Sequence, residues 1–188
     1  MFSGKSRELA RLVERALIAD LKVAVVYPAF ASRSSPRDMV GRMADLPGDW
    51  TLHPILDGRS DLIAPLLADS VDMVAVDEAQ FFDEQLPVWA RRWRHQGKMV
   101  VLAGLDIDYA EHPFGCMGHL LCLADDVVKL HAVCTACKKN DAFISHRLTT
   151  QTSQVVVGDT NYTALCVDCY DRIRKMSGNA VESILEEA

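Results

Sequence analysis

The chain has 188 residues, of which 49% are hydrophobic and 24% charged, and its formal net charge is −6. This length suits one domain with a real core and a small appendage, and the composition is ordinary for a soluble globular protein. The acidic balance argues against a general nucleic-acid-binding protein, which carries a basic surplus. Apolar runs stay below the roughly 18 residues of a membrane span. With no secretory signal visible, we expect a cytoplasmic protein with no membrane or nucleic-acid partner.

Apolar spacing predicts helices that alternate with short, continuously apolar strands over the first 131 residues. The predicted helices cover 5–20, 60–69, 83–96 and 115–124, and the predicted strands cover 23–27, 71–76, 99–103 and 127–131. Residues 28–50 read as an irregular loop. Such alternation is typical of an α/β fold with a parallel sheet that helices cover on both faces.

The pattern changes after residue 133, where short β-like pieces at 142–147 and 153–157 lie between two pairs of cysteines. We therefore expect an α/β domain over 1–132, a small zinc-binding β domain over 133–176 and a flexible acidic tail over 177–188.

Four cysteines form two C-x-x-C pairs, Cys134/Cys137 and Cys166/Cys169, separated by 28 residues. Disulfides are a poor interpretation in a cytosolic chain, whose thiols are kept reduced. Two C-x-x-C turns can present four thiolates tetrahedrally, which predicts a closed, structural zinc site. The alternative, four unrelated core cysteines, is much weaker because the spacing repeats.

Gly4-Lys5-Ser6 is the second half of the phosphate-loop pattern G-x-x-x-x-G-K-[ST], and it opens a predicted helix. Backbone N–H groups at this helix start would bind phosphates, Lys5 would reach the β- and γ-phosphates, and the Ser6 hydroxyl would bind Mg²⁺. A bare tripeptide of this kind is common. The first glycine of the pattern and the strand that feeds the loop are not in this sequence.

Asp77-Glu78 follows the predicted strand 71–76 directly, as the metal-binding acid of a nucleotide-binding fold does. Asp77 would hold Mg²⁺, and Glu78 would take a proton from the acceptor hydroxyl. The alternative is a solvated turn. The helix that opens on Gly4-Lys5-Ser6 favours the functional interpretation.

Together these motifs resemble the type II thymidine kinases of bacteria and animal cells, over residues 1–170. The resemblance rests on the segments 1–6, Asp77-Glu-Ala-Gln-Phe-Phe82, Leu105-Asp106 and Pro113-Phe-Gly115, and on both cysteine pairs. It implies transfer of the ATP γ-phosphate to the 5′-hydroxyl of thymidine, in nucleotide salvage and DNA precursor synthesis. It implies a RecA-like P-loop kinase domain, a zinc-binding lasso domain, a homotetramer and feedback inhibition by dTTP.

The resemblance also implies roles for individual residues, with Glu78 as the general base. The ATP- and Mg²⁺-binding positions would be Ser3, Gly4, Lys5, Ser6, Arg33, Asp77 and Gln80. The thymidine-binding positions would be Met1, Phe81, Leu105, Tyr109, Phe114, Ser145, Val155, Val157 and Tyr162. An apolar, partly aromatic pocket suits a methylated pyrimidine, although each apolar side chain taken alone is as readily explained by core packing.

Two departures from the family pattern leave alternatives open. The feeding strand and first glycine are absent from the sequence, and Ala31 stands where the family usually has an Asp near the phosphates. The leading expectation is an active kinase whose start is assigned too far downstream. The first alternative is an inactive homologue that binds nucleotide or nucleoside without turnover. A zinc-ribbon interaction module or nucleic-acid-binding module is the second, and the acidic balance and the predicted buried parallel strands make it the weakest.

Overall fold

The computed structural model describes residues 1–29, 47–67, 69–149 and 161–186, with side chains described as far as residue 176. Its residue contacts divide the chain into two units. One is Gly4–Lys129, and the other consists of Met1–Ser3 with Leu130–Ala188. Among the described residues, no helix is both long and apolar enough to cross a membrane.

In the unit Gly4–Lys129, the described residues form a four-stranded parallel sheet with the strand order β2-β1-β3-β4. The strands are β1 (Val23–Pro28), β2 (Trp50–Ile55), β3 (Met73–Val76) and β4 (Met99–Leu102). The helices are α1 (Lys5–Ile18), α2 (Leu86–His95) and α3 (Met117–Leu123), with short 3-10 turns at 56–58, 60–62, 64–66 and 79–81. The predicted α/β class with a parallel sheet is confirmed.

Strands β1 and β3 are buried on both faces of the sheet, and their neighbouring residues point to opposite sides. Val25 and Ala75 pack with the apolar stripe of α1, which includes Val13. Val26 and Val76 belong to the opposite core. That core also receives Leu86, Trp93, Met117 and Leu120 from α2 and α3. Continuous burial of β1 and β3 explains why their sequences read as unbroken apolar runs.

The structure differs from the prediction at residues 60–69 and at strand β2. The predicted helix 60–69 is two 3-10 turns, and Pro65 lies in the second of them, where it removes a backbone donor. Strand β2 was not predicted, because it lies at the sheet edge, is only partly buried and contains Pro54. Edge strands tolerate proline because one of their sides needs no ladder hydrogen bonds.

The strand predicted at 127–131 is wrong. Residues 124–131 have no assigned secondary structure, and Val128 is 70% exposed. A strand forms only where a neighbour supplies backbone partners. Strand β4 pairs with β3 on one side, and no strand in the described part of the chain pairs with its other side.

The described residues of the second unit form two small antiparallel sheets and one long helix. Strand β5 (Ala132–Val133) pairs with β6 (Asp141–Ala142), and β7 (Ile144–Arg147) pairs with β8 (Tyr162–Leu165). The β structure predicted at 142–147 is confirmed, whereas that at 153–157 lies outside the described residues. Helix α4 (Val167–Glu186) includes much of the segment expected to form the tail, whose flexibility stays a prediction.

Candidate active site and metal centre

The phosphate-loop residues Gly4, Lys5 and Ser6 lie at the start of α1. Gly4 is the N-cap and has a left-handed backbone, with φ +86°, which glycine adopts without strain. A Cβ at this position would meet nothing within 4 Å, so the requirement for glycine is conformational rather than steric. Lys5 and Ser6 begin the helix, whose first N–H groups have no intrahelical acceptors and suit an anion.

Ser6 and Asp77 meet at the end of β3. The Ser6 Oγ donates a hydrogen bond of 3.0 Å to Asp77 Oδ2, and the backbone N–H of Glu78 donates one of 3.0 Å to Asp77 Oδ1. Asp77 itself is only 1% exposed. A hydroxyl and a carboxylate oxygen in contact are the oxygen ligands that Mg²⁺ prefers, so these two side chains fit the predicted cation.

The electrostatics of Asp77 also favour a cation. Burial raises the pKa of Asp77 to about 6, and repulsion from Glu78 adds to the rise. The hydrogen bond from Ser6 and the charge of Lys5 oppose this rise in pKa without cancelling it. The ionised form of Asp77 is therefore costly in this position, and a bound divalent cation would stabilise it.

Glu78 occupies a strained backbone position. Its φ of 50° and ψ of 45° lie in the left-handed region, and it caps the 3-10 turn Ala79–Phe81. Such a conformation in a residue other than glycine costs about 1–3 kcal/mol and persists where the surroundings impose it. Here the surroundings are the hydrogen bond to Asp77 and the turn that follows. Its side chain is half-buried.

Gln80 joins Glu78 to the loop after β4. Its side chain Nε2 donates a hydrogen bond to Glu78 Oε2, and its Oε1 accepts one of 3.0 Å from the backbone N–H of Leu105. Gln80 is only 3% exposed. The structure thus brings together Glu78, Gln80 and Leu105, which the sequence had assigned separately to the base, to ATP or Mg²⁺, and to thymidine.

Two of the predicted thymidine residues form an aromatic pair. The rings of Phe81 and Phe114 meet edge to face, with centroids 5.5 Å apart and an interplanar angle of 86°. Phe114 is buried, and Phe81 is half-buried. The pair gives this unit a rigid apolar wall of the kind that suits a pyrimidine ring.

The loop that carries Tyr109 is closed by a residue that the sequence analysis missed. The Asp108 carboxylate is 5% exposed, and its Oδ1 accepts hydrogen bonds from the N–H groups of Ala110 and His112, at 2.8 and 3.0 Å. Asp followed by a short polar loop is a turn signal, which could have suggested this role.

Other predicted residues lie in the second unit. The N-terminal amine of Met1 donates a hydrogen bond of 2.7 Å to Ser145 Oγ. Arg147 and Tyr162 are paired across β7 and β8, and an Arg147 Nη donates a hydrogen bond of 2.7 Å to the Tyr162 hydroxyl. Ser3 is half-buried in this unit. Three predicted residues lie outside the described residues, namely Arg33, Val155 and Val157.

The four cysteines of the two pairs converge in the second unit. Their sulfur atoms all lie within 4.8 Å of one another, and those of Cys137 and Cys166 are 3.9 Å apart. A tetrahedral zinc site with Zn–S bonds of about 2.3 Å has sulfur–sulfur edges of about 3.8 Å, so the arrangement fits zinc. The predicted ligand set is thereby brought together in one place.

Backbone N–H groups lower the pKa of two of the four thiols, which favours the thiolate form that binds a metal ion. Hydrogen bonds from the N–H groups of Cys137 and Cys166 lower the pKa of Cys134 to about 6. Those of Lys139 and Asn140 lower the pKa of Cys137. By contrast, the neighbouring cysteines, Cys166 first among them, raise the pKa of Cys169 to about 12. Four thiolates this close repel one another, so their joint ionisation requires a metal ion.

Comparison with known proteins agrees with this geometry. The family model described as thymidine kinase matches residues 1–170. The chain belongs to the thymidine kinase family. The thymidine kinase of Bacteroides thetaiotaomicron is 38% identical over 184 residues, which cover 96% of this chain and 88% of that protein. That of Bacteroides fragilis is 39% identical over 173 residues, covering 92% and 83%. That of a Rhodothermus species is 36% identical over 184 residues, covering 97% and 83%.

Proposed function

We propose that this chain transfers the γ-phosphate of ATP to the 5′-hydroxyl of thymidine and so makes dTMP for nucleotide salvage. The observation that carries the proposal is the hydrogen bond of 3.0 Å between Ser6 Oγ and Asp77 Oδ2, with Glu78 adjacent. It places the start of a phosphate-loop helix beside a carboxylate at the end of a parallel strand. In a member of the thymidine kinase family, this is the arrangement that a phosphoryl transfer needs.

The donor side of the reaction would use the start of α1. The N–H groups of its first turn and the Lys5 ammonium group would hold the β- and γ-phosphates. Ser6 and Asp77 would hold Mg²⁺, which when bound neutralises charge on those phosphates. Ser3, Gly4 and Arg33 complete the proposed ATP site on the strength of the family resemblance.

Glu78 would act on the acceptor side. As the 5′-oxygen of thymidine forms a bond to the γ-phosphorus, the bond from that phosphorus to the bridging β–γ oxygen breaks, and ADP leaves. Glu78 accepts the hydroxyl proton. A positioned base of this kind contributes roughly 10²–10⁴-fold to the rate. Its fixed backbone and its hydrogen bond to Gln80 support the assignment, because both limit where the carboxylate lies.

The nucleoside ring would contact apolar side chains of the unit Gly4–Lys129. Phe81 and Phe114 supply edge and face contacts, and Leu105 and Tyr109 lie in the loop after β4. The assignment of Met1, Ser145, Val155, Val157 and Tyr162 to the same substrate rests on the family resemblance. So do the homotetramer, the feedback inhibition by dTTP and the cytoplasmic location. We further propose that the four cysteines hold one structural Zn²⁺.

The test is turnover of thymidine by the purified chain with ATP and Mg²⁺, with deoxyuridine and other nucleosides as competitors. Glu78→Gln should lower kcat by roughly 10²–10⁴-fold. The matched control is Glu84→Gln, which changes an exposed carboxylate and should leave kcat unaltered. Turnover that is insensitive to Glu78→Gln would contradict the role of the base. Nucleotide binding with no turnover by the unmodified chain would instead establish the inactive homologue.

A further inference from the structure

We propose that Gln80 is a positioning residue that fixes the Glu78 carboxylate relative to the nucleoside, and that it is not a ligand of ATP or Mg²⁺. This inference rests on the proposed function of the same site. It replaces the role that the family resemblance implies for Gln80. What motivates it is that both ends of the buried amide are already engaged within the protein.

The two partners of Gln80 have opposite hydrogen-bonding needs. The Glu78 carboxylate, when ionised, only accepts, and the Leu105 N–H only donates. A primary amide offers a donor at one end and an acceptor at the other, so it satisfies both at once. A glutamate in its place would set two carboxylates against each other, and an apolar side chain would leave the half-buried Leu105 N–H without this acceptor.

The surroundings of Gln80 hold it in this arrangement. A Cβ on Gly104 would lie 2.8 Å from Gln80 Oε1, and one on Gly115 would lie 2.5 Å from the Gln80 carbonyl oxygen. Gly115 also has a φ of +49°, which favours glycine. Two glycines therefore let neighbouring backbone approach Gln80 from two directions. Turning this buried amide toward a nucleotide would break both of its hydrogen bonds, to Glu78 and to Leu105.

The link has a direct consequence for catalysis. Leu105 lies in the loop after β4, which also carries Tyr109 and Phe114, the residues proposed to contact the nucleoside. Glu78 is the base that must lie within reach of the 5′-hydroxyl. Because one side chain holds both Glu78 and Leu105, Gln80 sets the distance between the base and the nucleoside site. A displacement of about 1 Å in such an arrangement can cost about 10²-fold in rate.

A double-mutant cycle with Glu78 tests this role. Gln80→Met keeps the length of the side chain but removes both hydrogen bonds. It should lower kcat by roughly 10- to 100-fold. The KM for ATP and the Mg²⁺ concentration for half-maximal activity should change by less than about threefold. In a chain that already carries Glu78→Gln, the same substitution should change kcat by less than about threefold, because the base is no longer there to be positioned.

Controls separate this inference from folding and from the proposed function. Gln85→Met, at an exposed glutamine nearby, should leave kcat unchanged. If Gln80→Met does not fold, Gln80→Asn keeps the amide and shortens the side chain by one methylene, and the same cycle applies. If turnover of the Glu78→Gln chain is too low to measure, Glu78→Asp takes its place, because its carboxylate is one methylene shorter and no longer meets the Gln80 amide.

Three results would overturn the inference: equal losses of kcat in both backgrounds, a rise confined to the KM for ATP or to the Mg²⁺ requirement, or an unchanged kcat. Each presupposes that the unmodified chain phosphorylates thymidine. Absence of that activity would refute the proposed function instead.

Discussion

The carboxylate site and the four-cysteine site hold charged groups by opposite means. Asp77 follows β3, whose four residues are all buried, and its unit has large apolar residues such as Trp93 in the core. The cysteines follow β strands as short as two residues, and the core around them consists mostly of alanines and the cysteines themselves. The first site is shaped by packing, whereas the second contributes much of the packing of its own unit.

The two units differ in how far their folding depends on a bound cation. The unit around Asp77 has enough buried apolar surface to fold around a costly charge, and burial raises the pKa of Asp77 because the ionised form is disfavoured there. The small unit has little apolar surface to bury, and small cores usually need metals or disulfides. A bound cation should therefore adjust the stability of the first unit, whereas the second unit should need one to fold.

The largest effect should follow removal of metal from the cysteine site. Chelation of the full chain, or Cys134→Ser, should abolish the pairing of β5 with β6 and of β7 with β8. Amide hydrogen exchange should then become fast throughout 161–176, while β1 and β3 stay protected. Elemental analysis should find about one zinc ion per untreated chain.

Cys122→Ser is the matched control, because Cys122 is exposed and outside the cluster. It should retain both the zinc and the exchange pattern of the unmodified chain. Full protection of β7 and β8 in chelated, zinc-free protein would show that this unit folds without metal, and the contrast between the two sites would fail.

The next effect concerns the charge on Asp77. Its pKa is about 6 in the folded chain against an ordinary 3.8, so the folded state binds more protons between these values and its stability falls as pH rises through them. The difference corresponds to about 3 kcal/mol. Asp77→Asn keeps the shape and can still bond with Ser6. At pH 7 its free energy of unfolding should exceed that of the unmodified chain by about 2 kcal/mol more than it does at pH 4, where Asp77 in the unfolded chain is already partly ionised.

Urea unfolding at a series of pH values, without Mg²⁺, measures this difference. Asp69→Asn removes the same charge from an exposed position and should show no such trend. Added Mg²⁺ with ATP should stabilise the unmodified chain more than the Asp77→Asn chain, which should also lose most of its turnover. A constant difference in stability from pH 4 to pH 7 would mean that the Asp77 charge costs nothing in place.

Features of this fold that depend on neighbours in sequence were predictable. Val23–Pro28 and Met73–Val76 are strands buried on both faces, and such strands appear as unbroken apolar runs. Strand β2 escaped detection because an edge strand with Pro54 has no such run. The apolar stretch at 127–131 was wrongly predicted as a strand, since composition does not reveal whether a strand has a partner.

The same division applies to the site. Gly4-Lys5-Ser6 and Asp77-Glu78 were recognisable because the rules of parallel sheets bring helix starts and strand ends to one edge. The double engagement of Gln80 was not predictable, because it depends on an N–H group 25 residues away and on two glycines that admit backbone beside it. The closure of a loop by Asp108 is different, because its partners are only two and four residues away and an Asp before a polar loop is a turn signal in the sequence.

The smallest effect should come from the aromatic pair. Phe81→Leu removes an edge-to-face contact with Phe114, which is worth about 0.5–1.5 kcal/mol of unfolding free energy beyond the area buried. If the pair forms the nucleoside wall, this variant should also raise the KM for thymidine several-fold and leave the KM for ATP unaltered.

Phe82→Leu is the matched control, because Phe82 is buried in the core on one side of the sheet and should affect stability alone. Equal KM values for thymidine in the two variants would mean that the role of Phe81 is purely structural. A higher KM for thymidine in Phe81→Leu than in Phe82→Leu would place the thymine ring against Phe81, close to the end of β3 and to the carboxylate site.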